Sequence, residues 1–318
     1  VKAAADALWG RTDVNGVLPI KLNTLMPQGY GLKKKKIFKN WDVVTINNFE
    51  NATNILQNAI KQKVFPGAQV VVLHNGKMLL NRGFGKQTYI DTSSLIDRYT
   101  IYDVASLTKV LVTVPIIMKL VSQNKISLDQ SIYQFHPSFK GNDKKNVTIR
   151  HLLTHSSGLP AYYPFYNKKK IKTKNDVLDY IIKINLNESP GFDFKYSDLG
   201  FILLTSIIEK VSKQTIDKLA YNYLFSPLGM SNTCYLPPLD WKIKIAPTEY
   251  DSMYRKSLVH GVVHDENAYL MGGVSGHSGV FSTAEDIAKY AQMLVDSGVW
   301  NGKRIFSESL INEFVKVQ

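Results

Sequence analysis

The chain has 318 residues, 44% of them apolar, enough to bury one large core or two modest ones, so low-complexity and disordered classes are excluded. No stretch nears the eighteen or so uninterrupted apolar residues of a membrane span, and Val1-Lys2-Ala3 lacks the layout of a signal peptide, which reads as a processed or cut end. The net charge of +13 draws anionic surfaces, but its densest runs, Lys33 to Lys36 and Lys168 to Lys170, sit in polar connecting segments without interleaved aromatics; they read as solvated loop charge, which sets nucleic acid aside and leaves an anionic cell-wall polymer open as a partner.

In chain order, residues 1–40 differ from the rest. Trp9-Gly10-Arg11, Gly16-Val17-Leu18-Pro19-Ile20, Pro27-Gln28-Gly29-Tyr30-Gly31 and the lysine run read as the tail of a preceding domain and a linker, with the main domain over 41–318. Asn48 to Gln62 has helical spacing, and Ala68 to Gly85 alternates about Asn75-Gly76, the strongest short hairpin signal. From Ser106 the set Val110, Leu111, Val114, Ile117, Leu120 and Val121 predicts a helix ending near Gln123-Asn124, kinked by Pro115. Further helices are expected at Thr148 to Leu153, Asn175 to Ile184, Leu199 to Val211, Thr215 to Leu224 and Thr283 to Asp296, the last opened by Ser282-Thr283-Ala284-Glu285 and closed by Gly298. A hairpin before a helical middle predicts an α+β fold, with a helical subdomain over about 125–235. Two strands alone leave an open edge, so more strands are needed.

Chemistry is carried first by Ser106-Leu107-Thr108-Lys109. Three residues apart on a helix, the serine and lysine share a face, so the amine reaches the hydroxyl, and a partly buried lysine is a base for a serine that is a poor nucleophile by itself. The helix N-terminus aims N–H groups at a developing oxyanion. Tyr196-Ser197-Asp198, preceded by Pro190-Gly191, puts a phenol on a loop at a helix entrance, where it can shuttle protons. His151 and His155 are four apart, but Leu152 follows where a zinc protease wants glutamate. His260, His264 and Asp265 have the residue types of a metal cluster. Neither Ser275 nor Ser278 has the flanking glycines of a nucleophile elbow, and turn formation explains Ser156 and Ser157. The lone Cys234 excludes an intramolecular disulfide and a cysteine metal site, and reads as a small buried residue.

With Thr148-Ile149-Arg150-His151-Leu152-Leu153-Thr154-His155-Ser156-Ser157-Gly158-Leu159-Pro160 between them, these motifs resemble the β-lactamase-related serine hydrolases: class C β-lactamases, D,D-peptidases and esterases of that fold. Phe65-Pro66-Gly67, Ser226-Pro227-Leu228-Gly229-Met230 and Gly276-His277-Ser278-Gly279-Val280-Phe281-Ser282-Thr283 extend the similarity. The resemblance implies an antiparallel sheet flanked by helices, an acyl-enzyme on Ser106, Lys109 as base and Tyr196 assisting, with Asp198, His264 and His277 binding substrate. It turns His260, His264 and Asp265 into pocket wall before metal ligands, and implies no metal or cofactor, an extracytoplasmic location, and an ester, amide or peptide substrate. Asp198 replaces the family's Asn and adds a negative charge beside the lysine, which favours a non-lactam substrate. His277-Ser278-Gly279 is not the family's third motif, since it precedes a helix that comes before the late strands; the chain is expected to stop short of those strands. Ala7-Leu8-Trp9-Gly10 and residues 16–20 are similar to the tail of family 3 glycoside hydrolases. That tail implies an upstream glycosidase and an alternative function, a catalytically silent wall-peptide- or glycan-binding accessory domain.

Overall fold

In the computed structural model, residues 49–317 are described; the expected tail and linker over 1–40 and the lysine run at 33–36 lie outside the described residues. Helix α1 (Glu50–Lys61) leads to β1 (Gly67–His74) and β2 (Lys77–Gly85). Asn75 and Gly76 both take positive φ, 52° and 73°, the backbone that a two-residue hairpin requires. The strands pair antiparallel with a register shift between Val72 and Leu73. The hairpin is thinly covered: β1 has no fully buried residue, and β2 buries Met78 and Phe84.

Strand β3 (Tyr102–Asp103) precedes a π-helical turn, Lys109–Thr113, that continues as α2 (Val114–Ser122). Pro115 lacks an N–H and its ring crowds the carbonyl one turn back. The kink expected there takes the form of the π-turn, and the Tyr290 hydroxyl donates to the Val110 carbonyl at 2.8 Å. The middle holds α3 (Ile149–Leu153), α4 (Lys174–Lys183), α5 (Asp198–Ser212), α6 (Ile216–Ala220), a second π-turn at Tyr221–Phe225 and α7 (Ser226–Leu228). Next come β4 (Cys234–Tyr235), the hairpin β5 (Tyr250–Asp251) and β6 (Ser257–Leu258), and α8 (Glu266–Leu270). The last elements are β7 (Val280–Ser282), α9 (Ala284–Val295), the hairpin β8 (Val299–Trp300) and β9 (Lys303–Arg304), and α10 (Glu308–Val315).

The additional strands form short, separate sheets: β3-β7-β4 with β7 central and both neighbours antiparallel, and the two small hairpins. Helix α5 is the trunk of the main core. Ser197 caps it by accepting the Gly200 N–H, Lys213 at φ 58° ends it, and Leu199, Phe201, Leu203, Leu204, Ile207 and Ile208 are all buried. Such burial on every side marks a helix surrounded by others, here α2, α3, α4 and α6. Each fully buried Leu or Ile contributes roughly 1.5–3 kcal/mol before entropy is counted. A small second cluster, Ile101, Ile245 and Phe281 with Trp241, lies at β3 and β7. Cys234 is half-buried on β4, not fully enclosed as expected, because a two-residue edge strand leaves one side open; burial still pushes its thiol up to about 11. Lys168, Lys169 and Lys170 are exposed on a turn.

Candidate active site

The Asp103 carboxylate builds the turn that presents Ser106. Oδ1 accepts the Ala105 N–H at 2.8 Å and Oδ2 the His264 N–H at 2.7 Å. Ala105 sits at φ 46°, a left-handed conformation costly for a residue with a Cβ. Leu107, Thr108 and Lys109 then donate to the carbonyls three residues back, a tight turn that puts Ser106 and Lys109 on one face. Strand β7 grips both ends: Val104 donates to the Val280 carbonyl at 3.0 Å, and the Val280 N–H reaches Thr108 Oγ1 at 3.2 Å. Burial raises the Asp103 carboxyl above its ordinary range, against the pull of its two N–H donors.

Ser106 is exposed, whereas Lys109 is 2% exposed. A buried ammonium costs several kcal/mol unless it is paired. Here Nζ lies 2.9 Å from Ser106 Oγ, 3.0 Å from the His277 carbonyl and 2.8 Å from Asp198 Oδ1. The Asp198 contact is an ion pair off the hydrogen-bonding line, so that oxygen has no aligned donor. The ring faces of Tyr196 and Phe201 lie 4.7 and 5.7 Å from Nζ, close enough for cation–π attraction.

Tyr196 is 44% exposed and meets the amine with its ring. It is held by His155, whose ring lies 4.4 Å from it and stacks on Phe201 at 5.0 Å. His155 also pins the loop before α5: its carbonyl accepts the Lys195 N–H at 2.8 Å and its Nδ1 the Ser197 N–H at 3.0 Å. Burial first, then the Lys109 charge, hold this imidazole down to about 4, so it is neutral near pH 7. Sequence reasoning considered His155 only as half of a zinc pair. His151 is instead spent in the capping box of α3 with Thr148.

The loop 275–279 supplies the carbonyl that meets Lys109. The Gly276 carbonyl accepts from Thr113 Oγ1 at 2.7 Å and its N–H donates to Thr205 Oγ1 at 2.8 Å. A Cβ there would lie 2.4 and 2.5 Å from those two oxygens, so glycine is required by close approach. The Tyr235 hydroxyl donates to the Ser275 carbonyl at 2.9 Å. The His277 ring is 1% exposed, with Nδ1 2.7 Å from Ser275 Oγ and Nε2 2.9 Å from Asp265 Oδ1. Burial alone would raise the Asp265 carboxyl, but His277, the Ala268 N–H and Lys109 bring it to about 2. The structure therefore gathers Ser106, Lys109, Tyr196, Asp198 and the His277 carbonyl. His264 joins through its main chain, with its imidazole 2.7 Å from Glu249 Oε1. His260 Nε2 lies within 2.9 Å of the Lys242 and Ile245 carbonyls. The sequence singles out His155 and Asp265, but not for these supporting contacts, and it does not single out Asp103, for which the available signal is an Asx turn two residues before Ala105.

The beta-lactamase family matches residues 52–314, beginning after the first forty residues. The N-acetylmuramyl-L-alanine amidase of Bacillus subtilis is 31% identical over 79% of this chain and 64% of its own length. An Escherichia coli K12 protein provisionally named a D-alanyl-D-alanine carboxypeptidase is 31% identical over 82% of this chain and 68% of its own. The chain thus spans about two thirds of the length of these curated relatives. The octameric penicillin-binding protein homologue from Pyrococcus abyssi shares the fold with a TM-score of 0.68 at 24% identity, covering 85% of this chain and 61% of that one. On the family match over residues 52–314 and on the agreement of both curated relatives along about four fifths of its length, this chain belongs to the beta-lactamase family.

Proposed function

We propose that the chain is a serine hydrolase that forms an acyl-enzyme on Ser106 and acts on a wall-peptide-like amide or a small ester. The observation that carries this reading is the 2.9 Å approach of the buried Lys109 amine to the exposed Ser106 hydroxyl. A neutral amine has two N–H groups and one lone pair. With one N–H group on the His277 carbonyl and Asp198 Oδ1 2.8 Å from the nitrogen but off the hydrogen-bonding line, the lone pair is left for Ser106 Oγ and takes its proton as the oxygen attacks the substrate carbonyl carbon. Lys109 then passes that proton to the leaving amine or alkoxide, with Tyr196 assisting at the mouth. Water attacks the acyl-Ser106 ester in turn, giving a proton to Lys109 that returns to Ser106. Among the described residues the Ser106 N–H has no acceptor, which leaves it for the oxyanion.

The scheme needs no cofactor. The names of the two curated relatives favour a wall amide over a lactam, as does the negative charge of Asp198, and wall substrates imply work outside the cytoplasmic membrane. In this reading the hydrolase domain runs over 41–318 and its helical part at about 125–235 forms one pocket wall. Of the three residues expected to bind substrate, Asp198 stands beside Lys109, whereas the His277 ring is enclosed with both nitrogens taken and the His264 imidazole is turned to Glu249, so neither imidazole is assigned to substrate. The test is intact mass after exposure to a penicillin and, separately, to a p-nitrophenyl ester, with Ser106→Ala as control. A serine-dependent mass gain is expected. The Lys109–Asp198 ion pair favours a second reading, a wall-peptide- or glycan-binding domain, which binding without any mass gain would select.

A further inference from the structure

Asp265, His277 and Ser275 form a hydrogen-bonded row in the order of a nucleophilic triad. Ser275 is 1% exposed, so no substrate reaches its hydroxyl, and the row is not a second nucleophile. Its output lies elsewhere. The residue whose ring is tethered at both nitrogens is the one whose carbonyl lies 3.0 Å from Lys109 Nζ. The carbonyl and the ring share one Cα, so with the Gly276 peptide held on one side and the ring tethered on the other, the direction in which the carbonyl carbon leaves that Cα is fixed.

We propose that Asp265 and His277 are positioning residues for Lys109: through the tethered imidazole they hold the His277 carbonyl on the amine and so direct its lone pair at Ser106. This rests on the reading of Lys109 as the base. The neighbouring residues carry separate ties, Ser275 to Tyr235 and Gly276 to Thr113 and Thr205, which fix where the loop lies but leave the orientation of the next peptide open. The row closes that freedom. Asp265 is suited to this because it is itself fixed, capping α8 by accepting the Ala268 N–H at 2.7 Å. A bond to a charged acceptor is stronger than one to a neutral acceptor, which suits a tether that must not slip as the amine gains and loses a proton.

The experiment measures two quantities on the whole chain: the rate constant and dissociation constant for acylation by a p-nitrophenyl ester, and the rate at which acetic anhydride labels Lys109, read by peptide mass mapping. Asp265→Ala should slow acylation at least tenfold with the ester dissociation constant within twofold, and speed Lys109 labelling several-fold. Asp265→Asn, which keeps an acceptor for Nε2–H and for the Ala268 N–H, should stay within about threefold of wild type on both and guards against a folding defect. An acylation rate constant and labelling rate like those of wild type in Asp265→Ala would overturn the proposal and leave the Ser106 reading standing. A weaker dissociation constant at an unchanged rate constant would also overturn it, assigning Asp265 to the substrate. If wild type is not acylated, the Ser106 reading fails, and labelling alone decides whether the row holds Lys109.

Discussion

Replacing Gly276 with alanine tests the packing on which the site depends. The added methyl would lie 2.4 Å from Thr205 Oγ1, 2.5 Å from Thr113 Oγ1 and 3.1 Å from the Phe201 carbonyl. Ordinary contact is near 3.5 Å, so the loop must withdraw by about 1 Å. Overpacking of this kind costs ~1–3 kcal/mol, and loosening the two hydrogen bonds of Gly276 adds ~1 kcal/mol each. The sum is about 3–5 kcal/mol, which at ~2–4 °C per kcal/mol lowers Tm by roughly 6–20 °C. The withdrawal also lifts the next carbonyl, that of His277, off Lys109 Nζ, so acylation should fall more than tenfold. The assay pairs thermal unfolding by near-UV circular dichroism with the ester burst. Gly302→Ala is the control, since Gly302 has φ 74° with nothing within 4 Å of an added Cβ and carries only the left-handed backbone cost of ~1–2 kcal/mol. Equal melting and equal burst rates in the two variants would refute the argument.

Asp198→Asn keeps an oxygen for Lys109 and removes a charge that repels the carboxylate of a penicillin; at ~1 kcal/mol for a partly screened pair, the penicillin-to-ester rate ratio should rise about fivefold. An unchanged ratio would count against Asp198 as the source of discrimination. Burial, and then Lys210, hold His136 down to about 4. Its folded value lies below the unfolded value of ~6.5, so its contribution is whole above pH 6.5 and is lost as pH falls toward 4, ~3 kcal/mol in full and roughly 2 kcal/mol once solvent screening of this partly exposed ring is allowed for. Urea titrations should show wild type losing stability over that window, with His136→Gln giving a flatter profile. Asp265, held at about 2, acts lower down: its contribution is whole above about pH 4 and is lost as pH falls through 2. The stability gap between wild type and Asp265→Asn should therefore narrow below pH 4.

Features specified by neighbours in the chain were legible in the sequence. Asn75-Gly76 set the hairpin because positive φ at two successive residues is a local demand. Ser106 and Lys109 met because three residues of tight turn leave their side chains little choice. Thr283 before Ala284 marked the start of α9 because its hydroxyl accepts an N–H three residues on. What escaped is set by meetings across the fold. Gly276 is held by Thr113 and Thr205, and nothing near any of the three announces the others. His155 reads as a ligand candidate by spacing, yet Phe201 and Tyr196 make it a stacking partner. Ala105 has no intrinsic preference for the left-handed region; the Asp103 carboxylate and the start of the helical run impose it.

The uneven depth of the core sets an order of opening. The hairpin β1–β2 rests on two buried side chains, while Lys109 stands at the head of a helical run rooted against α5. Amide hydrogen exchange should release the hairpin amides at low free energy and retain those of α2 and α5 to the global limit. Partial loosening would then detach the hairpin before the serine and lysine separate, and the reacting pair would survive as one of the last ordered parts of the molecule.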